Sequence, residues 1–253
     1  MQQRADNRVC DEIRDIDIQY DQLSNALASV LFSLGNTKVL SAVTVSSGVP
    51  HFLRGKQTGW LTAQYSMLPT STITRIEREI NQGKRNGRFT EISRIIGRSL
   101  RAIVDLSAIG EQTIVVDCDV LQADGGTRTA CITAAGLVLQ RAEQKLLETG
   151  IIKKSLLTDE IAAISVGVQK NILVMDPNFE EDSRLDADFN VVLTRSGNII
   201  EFQGTSERGV LDKHIFDQIY LFANKGIQSI FNSIELKKTN KLHITSEKEI
   251  VQS

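Results

Sequence analysis

Residues 113–129 read TIVVDCDVLQADGGTRT, and this stretch decides the fold class. Its first ten residues alternate β-branched apolar side chains with polar ones, which predicts a strand over 113–122. The stretch from Thr129 to Thr149 begins with small residues on every side and is followed by Gly150, which predicts a helix over 129–149 that ends at a glycine. A strand that feeds a helix through a glycine-containing turn indicates an α/β (α+β) protein.

The same alternation of strand and helix patterns extends in both directions from this stretch. Apolar residues at helical spacing predict an amphipathic helix over 89–104 and another helix over 211–232. Short β-branched or alternating segments predict strands at 26–35, 38–45, 59–67, 161–169, 172–175, 187–194 and 199–204. We therefore expect mixed β-sheets with flanking helices, built as two pseudo-repeated βα halves.

The domain organisation follows from length and composition. At 253 residues, with 41% hydrophobic and 24% charged residues, the chain has the composition of a globular protein. We expect a single catalytic domain over 1–234 and a polar, poorly ordered tail over 235–253. The first residues are charged and no apolar run reaches ~18 residues, so neither a signal peptide nor a membrane span is predicted. We expect a cytoplasmic protein.

Cysteine and histidine chemistry is disfavoured. The three cysteines lack CxxC spacing and the three histidines have no partner at i+3 or i+4. Disulfide frameworks, zinc sites and Ser-His-Asp triads are therefore unsupported.

The charge distribution is uneven although the net charge is only −2. Residues 54–101 hold ten Lys or Arg against three Glu, whereas residues 176–188 hold six acids against Arg184. A basic middle and an acidic cluster predict a polyanionic partner together with a local cation site.

The turn at 122–129, QADGGTRT, is a candidate anion site. Glycines let the backbone approach an oxyanion closely, and a helix start presents free N–H groups to it. Gly126, Thr127 and Arg128 then supply backbone, hydroxyl and guanidinium donors. The spacings of the Walker loop and of GxGxxG are absent. An ordinary strand-to-helix turn is the alternative interpretation.

Two other segments carry candidate chemistry. The basic stretch 75–88 ends in Arg88 at the start of the 89–104 helix, where a guanidinium and the helix dipole favour a phosphate. Its remaining basic residues suit a ribose-phosphate backbone. In 176–188, Asp182 and Asp188 could hold Mg²⁺ or supply a general acid. A solvated loop is the alternative for both segments.

Several strings together resemble the ribonuclease PH family of phosphorolytic 3′→5′ exoribonucleases, which trim transfer-RNA precursors. The similarity runs from Arg4 to about residue 232. The strings are RADNR at 4–8, EIR at 12–14, GWLTAQYSMLP at 59–69, RIERE at 75–79, GRFTEISRIIGRSLR at 87–101, DCDVLQADGGTR at 117–128, MDPNFEEDSRLDAD at 175–188 and QGT at 203–205.

The resemblance implies a role for each candidate residue. Arg88, Gly126, Thr127 and Arg128 would bind the attacking inorganic phosphate, the co-substrate. Asp182 and Asp188 would act at the scissile phosphodiester, through Mg²⁺ or, for Asp182, through proton donation. Arg75 and Arg78 would contact RNA or a neighbouring subunit. The chain departs from the family pattern at Thr70, Ala134, Arg195 and 206–209.

The expected reaction is reversible removal of nucleotides as 5′-diphosphates from single-stranded 3′ ends of transfer-RNA precursors. The resemblance also implies a homo-hexamer built as a trimer of dimers. Two alternatives remain open: a non-catalytic RNA-binding subunit of an exosome-like ring, and a subunit that is active only beside an inactive relative.

Overall fold

The computed structural model describes residues 4, 6–78 and 87–251, and for 239–251 it describes the backbone alone. The strands in these ranges are β1 (Ile16–Tyr20), β2 (Ala28–Leu34), β3 (Thr37–Ser47), β4 (Trp60–Met67), β5 (Gln112–Gln122), β6 (Ile161–Gln169), β7 (Ile172–Met175), β8 (Ala187–Thr194) and β9 (Ile199–Ser206). The helices are α1 (Gly87–Arg101), α2 (Thr127–Glu148), α3 (Phe179–Asp182) and α4 (Lys213–Val251), with short 3-10 turns at His51–Leu53 and Leu106–Ile109.

The strands form two sheets. The first has the order β1-β2-β3-β5-β4; its pairs are antiparallel except β4 and β5, which run parallel because α1 connects them. The second has the order β7-β6-β8-β9 and is antiparallel throughout. The predicted α/β class is confirmed. Mixed sheets were expected, and the first sheet is mixed because of its one parallel pair, whereas the second is purely antiparallel.

Helix α2 lies between the sheets and contacts β2, β3 and β5 of the first and β6 and β8 of the second. Its first turns carry small residues on every side, and Ala130, Ala134 and Ala135 are fully buried. Small side chains let a helix pack closely between two sheets. The start of α2 is therefore held rigidly by both halves of the chain.

Helix α1 packs against β4 through its apolar face. Ile92, Ile96 and Leu100 are completely buried there, and burial of each such side chain contributes about 1.5–3 kcal/mol. This packing fixes the start of α1, and hence Arg88, relative to the first sheet.

The largest differences between the structure and the sequence-based expectation are in three elements. Strand β1 was not predicted, because IDIQY is short and bounded by aspartates, yet it pairs with β2 and buries Ile16 and Ile18. The acidic segment contains the one-turn helix α3. The last helix, predicted to end at residue 232, continues to Val251.

Candidate active site

A cleft of about 400 Å³ opens where the starts of α1 and α2 face α3 and β8. The predicted phosphate ligands and carboxylates all line it: Arg88, Gly126, Thr127, Arg128, Asp182 and Asp188. The sequence places these residues in three separate segments, and the fold brings them to one cavity.

Two consecutive left-handed glycines shape the turn between β5 and α2. Gly125 has φ 75° and Gly126 has φ 63°. A Cβ on Gly125 would lie 2.7 Å from the carbonyl oxygen of Pro177 and 2.7 Å from the carbonyl carbon of Asn178. Any other residue would therefore push the anion loop away from the turn that leads into α3.

The two arginine-bearing helix starts are connected by an aromatic residue. The Tyr65 hydroxyl donates to Thr127 Oγ1 at 3.2 Å, and its ring packs edge-on against Phe89 at 5.4 Å between centroids. Burial raises the pKa of Tyr65 well above its ordinary value, so the phenol stays protonated and remains a donor. The free N–H groups in the first turn of each helix carry partial positive charge.

Arg128 is oriented by two residues from other elements. Its Nη1 donates to Gln203 Oε1 on β9, and its Nη2 lies 3.6 Å from Glu91 Oε1 on α1. Gln203 Nε2 also donates to Glu91 Oε1 at 3.1 Å. Local sequence pattern does not predict this arrangement, because Gln203 is 75 positions from Arg128.

The carboxylates of Asp182 and Asp188 sit in a partly buried, negatively charged environment. Burial raises the pKa of Asp182, and the charges of Asp188 and Glu207 add to this effect while Arg88 opposes it. Burial and then Glu207 raise the pKa of Asp188, whereas Arg128 and a 3.4 Å hydrogen bond from Asn190 oppose the increase. Glu207 also lines the cleft and was missed by the sequence analysis.

Helix α3 places Asp182 by means of a capping box. Asn178 Oδ1 accepts from the Glu181 backbone N–H at 3.0 Å, and Glu181 Oε2 accepts from the Asn178 N–H at 2.9 Å. The N-x-x-E pattern at 178–181 is the sequence signature of this cap and could have predicted the helix.

The two residues predicted to contact RNA lie outside the cleft-lining set. Arg75 and Arg78 are exposed on the segment that follows β4, and Thr72 of the same segment reaches the cleft. The predicted basic loop continues through Lys84 and Arg85, which lie outside the described residues. A role for this segment in RNA binding stays a prediction.

The donor set suits a hard divalent cation. Within the described ranges, no cluster of three or more His, Cys, Asp or Glu side chains is arranged to hold a metal ion. Mg²⁺ is usually held by one or two carboxylates, with water and substrate phosphate as the other ligands. Asp182 and Asp188 fit that pattern, since they line one cleft and the charge of Asp188 raises the pKa of Asp182.

Comparison with known proteins identifies the family. A model described as "3′ exoribonuclease family, domain 1" matches residues 12–144, and one described as "3′ exoribonuclease family, domain 2" matches residues 159–226. The ribonuclease PH of Bacillus velezensis is 49% identical over 228 residues, which cover 90% of this chain and 93% of that protein. The chain belongs to the ribonuclease PH family.

Other relatives agree with this assignment. The ribonuclease PH of Bacillus subtilis is 48% identical over 230 residues, covering 90% of this chain and 94% of that protein. A chain of the Archaeoglobus fulgidus exosome, solved with RNA bound to the active site, superimposes with a TM-score of 0.77 at 22% identity and covers 92% of each chain. At that identity the likeness establishes the fold alone.

The family resemblance drawn from the sequence motifs is thereby confirmed, together with the fold class and the class of enzyme. Members of the ribonuclease PH family are phosphate-dependent exoribonucleases that act on RNA. In the described part of the chain, no helix combines the length and hydrophobicity needed to cross a bilayer.

Proposed function

We propose that this chain uses inorganic phosphate to remove nucleotides one at a time from the 3′ ends of transfer-RNA precursors. The enzyme class follows from family membership; the residue roles and the RNA substrate are our own assignments. One observation carries the residue roles: Arg88, Arg128 and the Gly125–Gly126 turn line the same cleft as Asp182 and Asp188.

Orthophosphate binds between the two helix starts. The guanidinium groups of Arg88 and Arg128 neutralise its charge, and the N–H groups around Gly126 and the hydroxyl of Thr127 fix its orientation. Inorganic phosphate is already an anionic nucleophile and needs no histidine base. Positioning and electrostatic stabilisation therefore supply most of the catalysis.

The scissile phosphodiester lies on the carboxylate side of the cleft. Asp182 and Asp188 would hold Mg²⁺, which when bound offsets the negative charge on the non-bridging phosphate oxygens. The raised pKa of Asp182 also suits it to protonate the departing 3′ oxygen. The two roles are alternatives for Asp182, because a carboxylate that holds Mg²⁺ is ionised and has no proton to donate.

The reaction needs no water. One oxygen of hydrogen phosphate attacks the phosphorus of the last phosphodiester, the bond to the 3′ oxygen of the preceding nucleotide breaks, and that oxygen ends with the proton that the attacking phosphate loses. The products are a nucleoside 5′-diphosphate and an RNA one nucleotide shorter. A phosphoanhydride replaces a phosphodiester, so nucleotide addition from diphosphates also proceeds.

Substrate binding and assembly extend this proposal. Unpaired 3′ ends fit the cleft because duplex ends bury their bases. We assign Arg75 and Arg78 to RNA contacts outside the cleft, and we propose a homo-hexamer built as a trimer of dimers.

The catalytic unit is a single domain over 1–234, which is supported by one hydrophobic core that includes residues of both sheets. We place the enzyme in the cytoplasm with its RNA substrates.

The alternative is an RNA-binding ring subunit without activity of its own. A degenerate subunit is expected to lack one of the two arginines or one of the two aspartates, and all four are present in the cleft. The test is to incubate the purified chain alone with a 3′-extended RNA, with and without phosphate, and to separate the products. Phosphate-dependent shortening supports the proposal, whereas an intact RNA that stays bound supports the scaffold.

A further inference from the structure

Three N-terminal arginines lie behind the cleft and contact the segments that form its walls. Arg4 and Arg14 are each only 6% exposed, and the Arg8 side chain is 9% exposed. Arginine is almost never this deeply buried unless it is paired. Arg4 and Arg14 pair with residues of the acidic turn and the anion loop, whereas the shortest ion pair of Arg8 is with Asp6 of the same N-terminal segment.

Arg14 joins the anion loop to the acidic turn. Its Nε donates to Asp176 Oδ2 at 2.9 Å and its Nη2 to Asp176 Oδ1 at 2.7 Å. The same guanidinium donates to the carbonyl oxygens of Asp124 and Gly125. Burial opposes the charged form, but the hydrogen bonds and charge of Asp176, which is 1% exposed, raise the pKa of Arg14.

Arg4 holds the helix that carries Asp182. Its Nε and Nη2 form a bidentate pair with the two Glu181 oxygens, each at 2.7 Å, and Nη2 also donates to the Asp176 carbonyl at 3.1 Å. Although burial opposes it, the hydrogen bond from Arg4 is the main reason that the pKa of Glu181 is lowered. Arg8 reinforces the same turn, because its Nη1 also donates to the Asp176 carbonyl at 3.1 Å.

An in-line displacement depends on the separation between nucleophile and target. The anion loop would hold phosphate, and α3 carries one of the carboxylates proposed to act on the scissile diester. These two walls come from segments about fifty positions apart in the chain, and they lie so close at Gly125 that a Cβ there would meet the backbone of residues 177–179. A displacement of about 1 Å in such an arrangement can lower a rate by ~100-fold.

We propose that Arg4 and Arg14 are positioning residues for the phosphorolytic reaction. Arg14 fixes the anion loop, Arg4 fixes α3 through Glu181, and both act from one N-terminal segment. The separation of attacking phosphate and scissile diester is thereby set by groups that touch neither. This inference rests on the proposed function of the cleft.

Loss of the Arg4 contacts and loss of the Arg14 contacts should have different kinetic effects. Arg4→Ala and Glu181→Gln should each lower kcat per folded molecule by about 10- to 100-fold, with KM for phosphate unchanged. The double variant should lose less than the product of the two single effects, because both variants weaken the Arg4–Glu181 contact. Arg14→Lys, which keeps the charge but loses the fork to the loop carbonyls, should raise KM for phosphate.

The matched control is Arg141→Ala. It removes another two-pronged arginine–carboxylate contact, in which Nε and Nη2 lie 3.0 and 2.7 Å from Asp21 Oδ2, away from the cleft. It should leave kcat and KM unchanged. Folded fractions are measured by circular dichroism and thermal unfolding. If Arg4→Ala folds poorly, Glu181→Gln tests the same contact with a side chain of nearly unchanged shape.

The outcomes separate the two proposals. If the variants lose thermal stability but keep wild-type kcat and KM per folded molecule, as Arg141→Ala should, the arginines are structural and the positioning role is overturned. Multiplicative effects in the double variant also overturn it. If the wild-type chain releases no diphosphates, the proposed function is refuted, and the positioning role is refuted as well because it rests on that function.

Discussion

Replacement of Arg128 by alanine should abolish diphosphate release while leaving RNA binding largely intact. The Arg128 side chain is 17% exposed, and its guanidinium is already oriented by Gln203 and Glu91, so little ordering is needed when phosphate binds. Alanine removes a bidentate pair of charge-assisted hydrogen bonds, each contributing about 1.5–3 kcal/mol. The sum of about 3–6 kcal/mol corresponds to a loss of ~10²- to 10⁴-fold in kcat/KM for phosphate.

The assay follows diphosphate release from a 3′-extended RNA over a phosphate titration, with RNA affinity measured separately by filter binding. Arg128→Lys is the matched control. It keeps a positive charge but cannot reproduce the fork, so its loss should be smaller, about 10- to 100-fold. A kcat/KM for phosphate at the wild-type level in Arg128→Ala, or an equal loss of RNA affinity, would refute the assigned role.

Three further predictions concern other parts of the molecule. Asp188→Asn should lower kcat by ~10²-fold or more even at saturating Mg²⁺, because charge stabilisation by a correctly placed metal ion contributes several kcal/mol; full recovery at high Mg²⁺ would show that only metal affinity was lost and would contradict this. Gly125→Ala should cost about 2–5 kcal/mol in urea unfolding, whereas Gly150→Ala, also left-handed at φ 70° but with open space around it, should cost only about 1–2 kcal/mol; equal losses would contradict the packing argument. The hydrogen bond from Arg141 lowers the pKa of Asp21 below 3.8, so its stabilising effect is complete above about pH 4 and disappears as the pH falls through the lowered pKa. The difference in stability between the wild type and Asp21→Asn should therefore shrink on acidification, and a widening difference would show the opposite sign.

The sequence predicted the parts of the site that depend on local pattern. A strand, two glycines and a helix in succession place Thr127 and Arg128 at a helix start, and this requires no knowledge of distant residues. Arg88 could be named for the same reason, since it lies at the start of a predicted helix, whereas the two aspartates were named from an acidic cluster before a predicted strand and from the family resemblance. Their convergence on one cleft is a property of the fold.

Long-range pairs could not be predicted in this way. Arg14 and Asp176 are 162 positions apart, and Arg4 and Glu181 are 177 apart. A charged N-terminal segment has the same composition whether its arginines are solvated or buried, because burial is decided by which segments pack behind the cleft. Helix α3, in contrast, depends on a local contact, and its N-x-x-E capping pattern at 178–181 could have predicted it from the sequence.

The most direct test of the mechanism follows the phosphorus atom of the nucleophile. Radiolabelled orthophosphate is supplied to the purified chain with a 3′-extended RNA, and the label in each product is quantified. If orthophosphate attacks the terminal diester, one labelled β-phosphate appears for every nucleotide removed. Release of unlabelled nucleoside monophosphates, with the label remaining in orthophosphate, would show that water is the nucleophile and would contradict the account.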